Sequence, residues 1–267
     1  MEIVILIISG IIGGLIAGLL GLGGGIFYIL ILPYAMQWYG IPIQNASAFI
    51  VANSFIGIVF ASATSLLSEF KNLKQYWKES LYIAFPAVLA SLLITRYFVH
   101  SDYFSIEIFN FLVIILMIFI IVQLRLKKNY IVTNKKLKFI PSFLSGLGSG
   151  ILSALSGLGG GIIIIPLLQI KFKQAVKKAK LISLVVIFLS SAFISIQNLL
   201  SNVNDIESVS YQQGYIMPGI AIPLIIGVFI GSPIGVKLSR IINDEYLNLI
   251  FVLFASLILI EKLSLFL

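Results

Sequence analysis

The feature that most constrains this chain is a pentapeptide that occurs twice. Gly21-Leu22-Gly23-Gly24-Gly25 returns as Gly157-Leu158-Gly159-Gly160-Gly161, each time in the middle of a long apolar segment. Four glycines in five residues do not sustain a helix, since each weakens it by roughly 1 kcal/mol relative to alanine. Bilayer hydrocarbon offers nothing to the N–H and C=O groups that such a break releases. Broken backbone survives at membrane depth only where protein buries it or where it lines a cavity. The two breaks therefore mark the candidate site before any chemistry is considered.

The setting is a membrane. Of 267 residues, 60% are hydrophobic and 10% charged, with a mean hydropathy of +1.11, whereas soluble domains carry about 25% charged residues. Apolar runs near the roughly 20 residues a spanning helix needs lie at Ile3–Leu32, Ala46–Ser68, Ser80–Phe98, Ile106–Leu124, Phe139–Leu168, Leu181–Leu199, Tyr215–Val236 and Tyr246–Leu265. The first begins without a basic leader, so it is expected to be retained structure. Residues 10–25 laid on 146–161 give eight identities in sixteen. Ala46/Ala175, Ser54/Ser183 and Ser62/Ser191 then align at one common offset, and Pro86 answers Pro223. The chain reads as two copies of one unit.

Charge decides how the copies are oriented. If all eight runs crossed the bilayer, the 18 basic residues would divide ten to eight between its faces. If the two glycine-broken segments are re-entrant hairpins, the division is sixteen to two, with only Arg96 and Lys262 outside. Positive charge collects on the cytoplasmic side, so the second arrangement is preferred. The expected fold is all-α: two inverted repeats, residues 1–125 and 139–267, each a broken helix plus three spanning helices, joined by a basic linker at 126–138 with both termini outside. The net charge of +8 thus belongs to the lipid surface, and no nucleic-acid partner is expected.

The chemistry available is neutral. With no cysteine and one histidine, neither a metal nor a cofactor is expected. The glycine runs lack the sixth-position glycine of a dinucleotide fingerprint and the Lys-Ser/Thr of a phosphate loop. His100 lies at a segment end, and no ionisable residue is placed at mid-segment. Enzymatic chemistry is therefore not expected. Hydroxyls and amides occupy the depth instead: Asn53, Ser54, Ser62, Thr64 and Ser65 in the second segment, Ser183, Ser190, Ser191 and Ser195 in the sixth, and Ser153 and Ser156 ahead of the second glycine run. Such hydroxyls commonly bond back to the carbonyl four residues earlier. The equivalence of Ser54 with Ser183 and of Ser62 with Ser191 points beyond that role, and each half-helix after a break offers unpaired N–H groups to an anion. The candidate anion site is Gly23, Gly24, Gly25, Asn53, Ser54, Gly159, Gly160, Gly161, Ser183 and Ser191. Bulk at Gly24 or Gly160 is expected to be damaging, and at Gly13, outside the motif, milder.

At these residues the chain resembles the TauE/SafE sulfite exporter family, whose repeated motif is Gly-x-Gly-Gly-Gly, four residues, then Pro and an apolar pair. Residues 157–168, ending Pro166-Leu167-Leu168, match it closely, while the first copy has Leu30 where Pro166 stands in the second. The resemblance covers essentially the whole chain. It implies a multi-pass cytoplasmic-membrane transporter that exports sulfite, organosulfonates or similar small organic anions by alternating access. An anion channel of the same fold, or an accessory membrane subunit, is the alternative. The sequence names neither the anion, the coupling ion nor the oligomeric state.

Overall fold

Each glycine run ends one helix and begins another, so eight apolar runs become ten α-helices among the described residues. The computed structural model describes residues 1–42, 46–125, 132–133, 136–203 and 212–264. The helices are α1 Glu2–Leu20, α2 Gly25–Trp38, α3 Ala46–Leu73, α4 Trp77–Ile94, α5 Ile106–Arg125, α6 Phe139–Ser156, α7 Gly161–Ile170, α8 Val176–Leu200, α9 Pro218–Leu238 and α10 Asp244–Ser264. Among the described residues, seven helices, α1, α3, α4, α5, α6, α8 and α9, are long and apolar enough to cross a bilayer. At 14 and 10 residues, α2 and α7 rise about 21 and 15 Å and fall short of the roughly 30 Å hydrocarbon core.

Both helix pairs are hairpins. Gly13 of α1 lies against the ring of Tyr28 in α2, and Ile3 and Tyr39 line one cavity with Met217 and Pro218. The chain thus returns to the end from which it set out. In the second pair, Thr133 N–H donates to Lys173 O at 3.0 Å, and Leu137, ahead of α6, clusters with Leu168 of α7.

Close packing follows the small residues. Gly10, Gly14 and Gly18 of α1 face Gly227, Gly231 and Gly235 of α9, where an added Cβ would strike backbone atoms of the opposite helix. Gly146 and Gly150 of α6 meet Ile83 O and Ala87 O of α4 in the same manner. Such ridges let two backbones approach and gain dispersion contact without a hydrophobic driving force. The principal pairings repeat between halves: α1 with α9 as α6 with α4, α3 with α9 as α8 with α4, and α3 with α8 and α5 with α10 across the centre. Outward faces are apolar stripes, as in α9, where Ile222, Ile226, Ile230 and Ile234 are exposed at four-residue intervals.

Two expectations need correcting. The sixth segment begins at Val176 and not at Leu181, so Lys177, Lys178 and Lys180 stand on α8 and not in a loop. The hydropathy that marks a span stops at a lysine, but a helix does not stop where its lysines find partners. Lys178 Nζ lies 2.6 Å from Glu79 Oε2 and 5.2 Å from the Tyr76 ring centroid. Gly13 is no tolerant control either, because a side chain there would enter the Tyr28 ring. The linker expectation at 126–138 lies largely outside the described residues.

The absence of cysteine makes the hairpins testable. Single cysteines at Glu2 and Gln37 should label with an impermeant maleimide from one face, and one at Lys173 from the other. Labelling of Glu2 and Gln37 from opposite faces would mean that the first glycine run crosses the membrane.

Candidate functional site

Helix α1 stops at Gly21, φ 73°, whose N–H caps Ala17 O at 2.8 Å. Helix α6 stops alike at Gly157, φ 64°, with its N–H 2.9 Å from Ser153 O. These left-handed positions end a helix with no Cβ penalty. Gly23 and Gly159 follow at φ 79° and 77°, with Leu22 and Leu158 buried between. Here the copies diverge: Gly24 is left-handed at φ 80°, while Gly160 sits at φ −64°. No side chain caps the N-terminus of α2 or α7, so the first amides of both helices lack side-chain acceptors at a point where the helix dipole is positive.

The two turns lie against each other. A Cβ on Gly25 would approach Leu158 O to 2.6 Å, and one on Gly159 would stand 3.5 Å from Leu22 O. Ile58 of α3 and Ile187 of α8 close over both. The equivalent serines then cross between repeats. Ser54 Oγ donates to Gly157 O at 2.6 Å, and Ser183 Oγ donates to Gly21 O at 3.1 Å. Each hydroxyl satisfies a carbonyl that the break in the other copy exposes, and a buried acceptor left without its donor costs about 1–3 kcal/mol.

The remaining candidates part company. Asn53 pins the strap before α9: its Nδ2 donates to Phe49 O at 2.9 Å and Tyr215 O at 3.0 Å, and its Oδ1 accepts from Met217 N–H at 3.0 Å. Ser191 bonds back to Phe188 O, as Ser62 does to Ile58 O and Ser190 to Val186 O. Thr64 also bonds back to Phe60 O, and both it and Ser65 reach Ser232 of α9. Of the serine pairs, only Ser54 and Ser183 meet the glycine turns.

Two buried polar groups stand unpartnered at the turns, and one of them, Tyr28, escaped the sequence reading. The Tyr28 hydroxyl is buried without a hydrogen-bond partner, 3.1 Å from where a Gly24 Cβ would be. Ser153 Oγ, in the last turn of α6, is likewise buried and unpartnered. Helical side chains lean toward the N-terminus, so a tyrosine one turn after a break points back at it. That spacing was the available signal.

The two ends of the molecule differ. At the lysine-rich end a cavity of about 670 Å³ opens between α3, α8, α9 and α10. It reaches Lys180, whose side chain packs on Gly21 and whose Nζ donates to Gly18 O at 2.5 Å and Ser239 Oγ at 2.7 Å. At the other end α4 finishes in a wide turn, Thr95–Val99, closed by His100 N–H on Thr95 O at 3.0 Å. His100 stacks on Tyr215 at 4.2 Å and bonds Asn198 Oδ1 through Nε2 at 2.7 Å. Burial lowers its pKa from the ordinary 6.5. Folding thus favours the neutral imidazole, and the associated stability, present above 6.5, drains away as pH falls below it.

Buried glycine-broken hairpins meeting between spanning helices define a multi-pass membrane transporter rather than an enzyme. The chain belongs to the sulfite exporter TauE/SafE family, whose model matches residues 5–261. It is 30% identical over 248 residues to the probable membrane transporter protein MJ0441 of Methanocaldococcus jannaschii, covering 92% of this chain and 89% of that one. No solved structure matches it.

The divergence of the copies gives a sharp expectation. Gly24→Ala imposes a left-handed alanine, worth about 1–2 kcal/mol of strain, against Gly13 O, and should abolish folding or lower Tm markedly. Gly160→Ala, with Ser149 at 3.4 Å, and Gly148→Ala, with nothing within 4 Å, should melt near wild type. Equal Tm for all three would show that the first turn is ordinary helix. Separately, Tm should fall as pH drops from 7 toward 5, and His100→Gln should flatten that slope; an unchanged slope would remove His100 as its source.

Proposed function

We propose that the protein is a secondary transporter, working as an exporter, for sulfite, an organosulfonate or a similar small sulfur-containing or carboxylate anion. It would operate by alternating access between two inverted repeats. The observation that carries this reading is the meeting of two uncapped helix N-termini at the centre, flanked by the unpartnered Tyr28 and Ser153 hydroxyls. Helix N-termini hold anions through aligned amides and a positive dipole end, and a phenol supplies one more donor. Gly23–Gly25 and Gly159–Gly161 would contact the anion, with Ser54 and Ser183 holding the turns in register.

The unequal ends support alternating access. Positive charge places the lysine-rich end in the cytoplasm, so the cavity beside Lys180 would admit substrate from inside. The strap held by Asn53, Tyr215, His100 and Asn198 would close the outer side. Neutral donors suit a substrate that must be released, since a buried permanent cation would hold an oxyanion more tightly.

Reconstituted protein should take up sulfite saturably and show counterflow; flux rising linearly with concentration would point to a channel. Tyr28→Phe is the sharper variant. Loss of a hydrogen bond to a charged ligand should weaken sulfite binding about ten- to a hundred-fold. The anion-free Tm should hold, because removing an unpartnered hydroxyl orphans nothing. Wild-type affinity in this variant would move the anion away from α2.

A further inference from the structure

We propose that the cavity at the lysine-rich end is itself an anion subsite, in which a sulfite- or sulfonate-class oxyanion docks on Lys180, Arg240 and Ser239 before it reaches the glycine turns. This rests on the reading of the protein as an anion transporter and adds a place to it. At about 670 Å³ the cavity has the size of a small-ligand pocket. Among the described residues, three cations, Lys177, Lys180 and Arg240, line it with one carboxylate, Glu69.

Lys180 is the unusual member. The residue is 9% exposed, yet its two hydrogen-bond partners, Gly18 O and Ser239 Oγ, are both neutral. An ammonium has three donors, so one has no partner among the described residues. Buried cations are costly unless paired with an anion, and an ionisable group of this kind inside a membrane protein marks a functional position. A helix C-terminus such as that of α1 attracts a cation only modestly. Lys180 lines a cavity open to solvent, which it shares with Arg240 and Glu69.

Glu69 acts as the resident counter-ion. Its carboxylate is 6% exposed and lies 3.2 Å from Arg240 Nε, while Arg240 also donates through a terminal nitrogen to Ser68 O at 3.0 Å. Arginine carries five donors, so the guanidinium can hold Glu69 and present further N–H groups to an arriving oxyanion. The anion and Glu69 share the same cations, and each weakens the hold of the other. Because Lys180 also touches Gly21, an anion seated here lies one side chain away from the first turn.

A purely structural Glu69–Arg240 tie makes a different demand from a subsite, and paired variants separate the two. Full-length protein in lipid nanodiscs would be titrated calorimetrically with sulfite, sulfate and methanesulfonate at fixed low ionic strength. Arg240→Gln should weaken binding about tenfold or more, as loss of a charge-assisted bond demands. Glu69→Gln should tighten it several-fold by removing the competitor. Anion-free melting of both variants monitors the fold, so the result does not depend on Lys180→Gln surviving expression. Shifts in the same direction, or none in either variant, would overturn the subsite while leaving transport at the glycine turns intact. Failure of the wild-type protein to bind any of the three anions or to show sulfite counterflow would instead sink the transport reading, and the subsite with it.

Discussion

A helix that breaks inside an apolar medium releases carbonyls that must find donors, and the whole architecture follows from where those donors come from. Here they come from the opposite repeat: Ser54 serves Gly157 O, and Ser183 serves Gly21 O. Each of these two carbonyls takes its hydroxyl from the other half of the chain. The requirement brings α3 and α8 together across the centre, and they in turn clamp both turns between Ile58 and Ile187. Glycine-lined contacts of α1 with α9 and of α6 with α4 complete the frame, each joining a hairpin arm to a helix of the other half.

A fixed frame around a soft centre suits a carrier. Left-handed glycines and reciprocal hydroxyl bonds define one arrangement of the turns without covalent ties, and each such bond contributes only about 1 kcal/mol net. The ends are held differently. One carries ion pairs and an open cavity, while the other is closed by a stacked ring pair, an amide and a histidine kept neutral by burial. Polar closures of unequal kind at opposite ends of a shared core are the sort of bistable elements that a ligand with differential affinity can bias.

Much of this was legible in the sequence because hydrophobic periods and glycines report directly on backbone. The glycine breaks and the equivalence of Ser54 with Ser183 follow from identities at fixed offsets, while the hairpins were read from the division of charge. What the Ser54 and Ser183 hydroxyls bond to did not, since the same residue type serves a carbonyl in its own helix at Ser62 and one in the other repeat at Ser54. The start of α8 was misplaced because hydropathy treats a lysine as an end, whereas Lys178 and Lys180 are carried into the protein by partners far away in sequence. Tyr28 was overlooked because an aromatic among isoleucines looks like packing, and only its position one turn after the break distinguishes it. The unlike conformations of Gly24 and Gly160 could not be read from identical pentapeptides.

The crossed helix partnership has a consequence for origins. Because α1 packs on α9 and α6 on α4, one half alone would expose a glycine ridge, an uncovered hairpin and an unserved carbonyl to lipid. A lone ancestral unit could escape this only by meeting a second copy of itself, so that each supplied the hydroxyl the other lacked, and duplication with fusion would make such a meeting permanent.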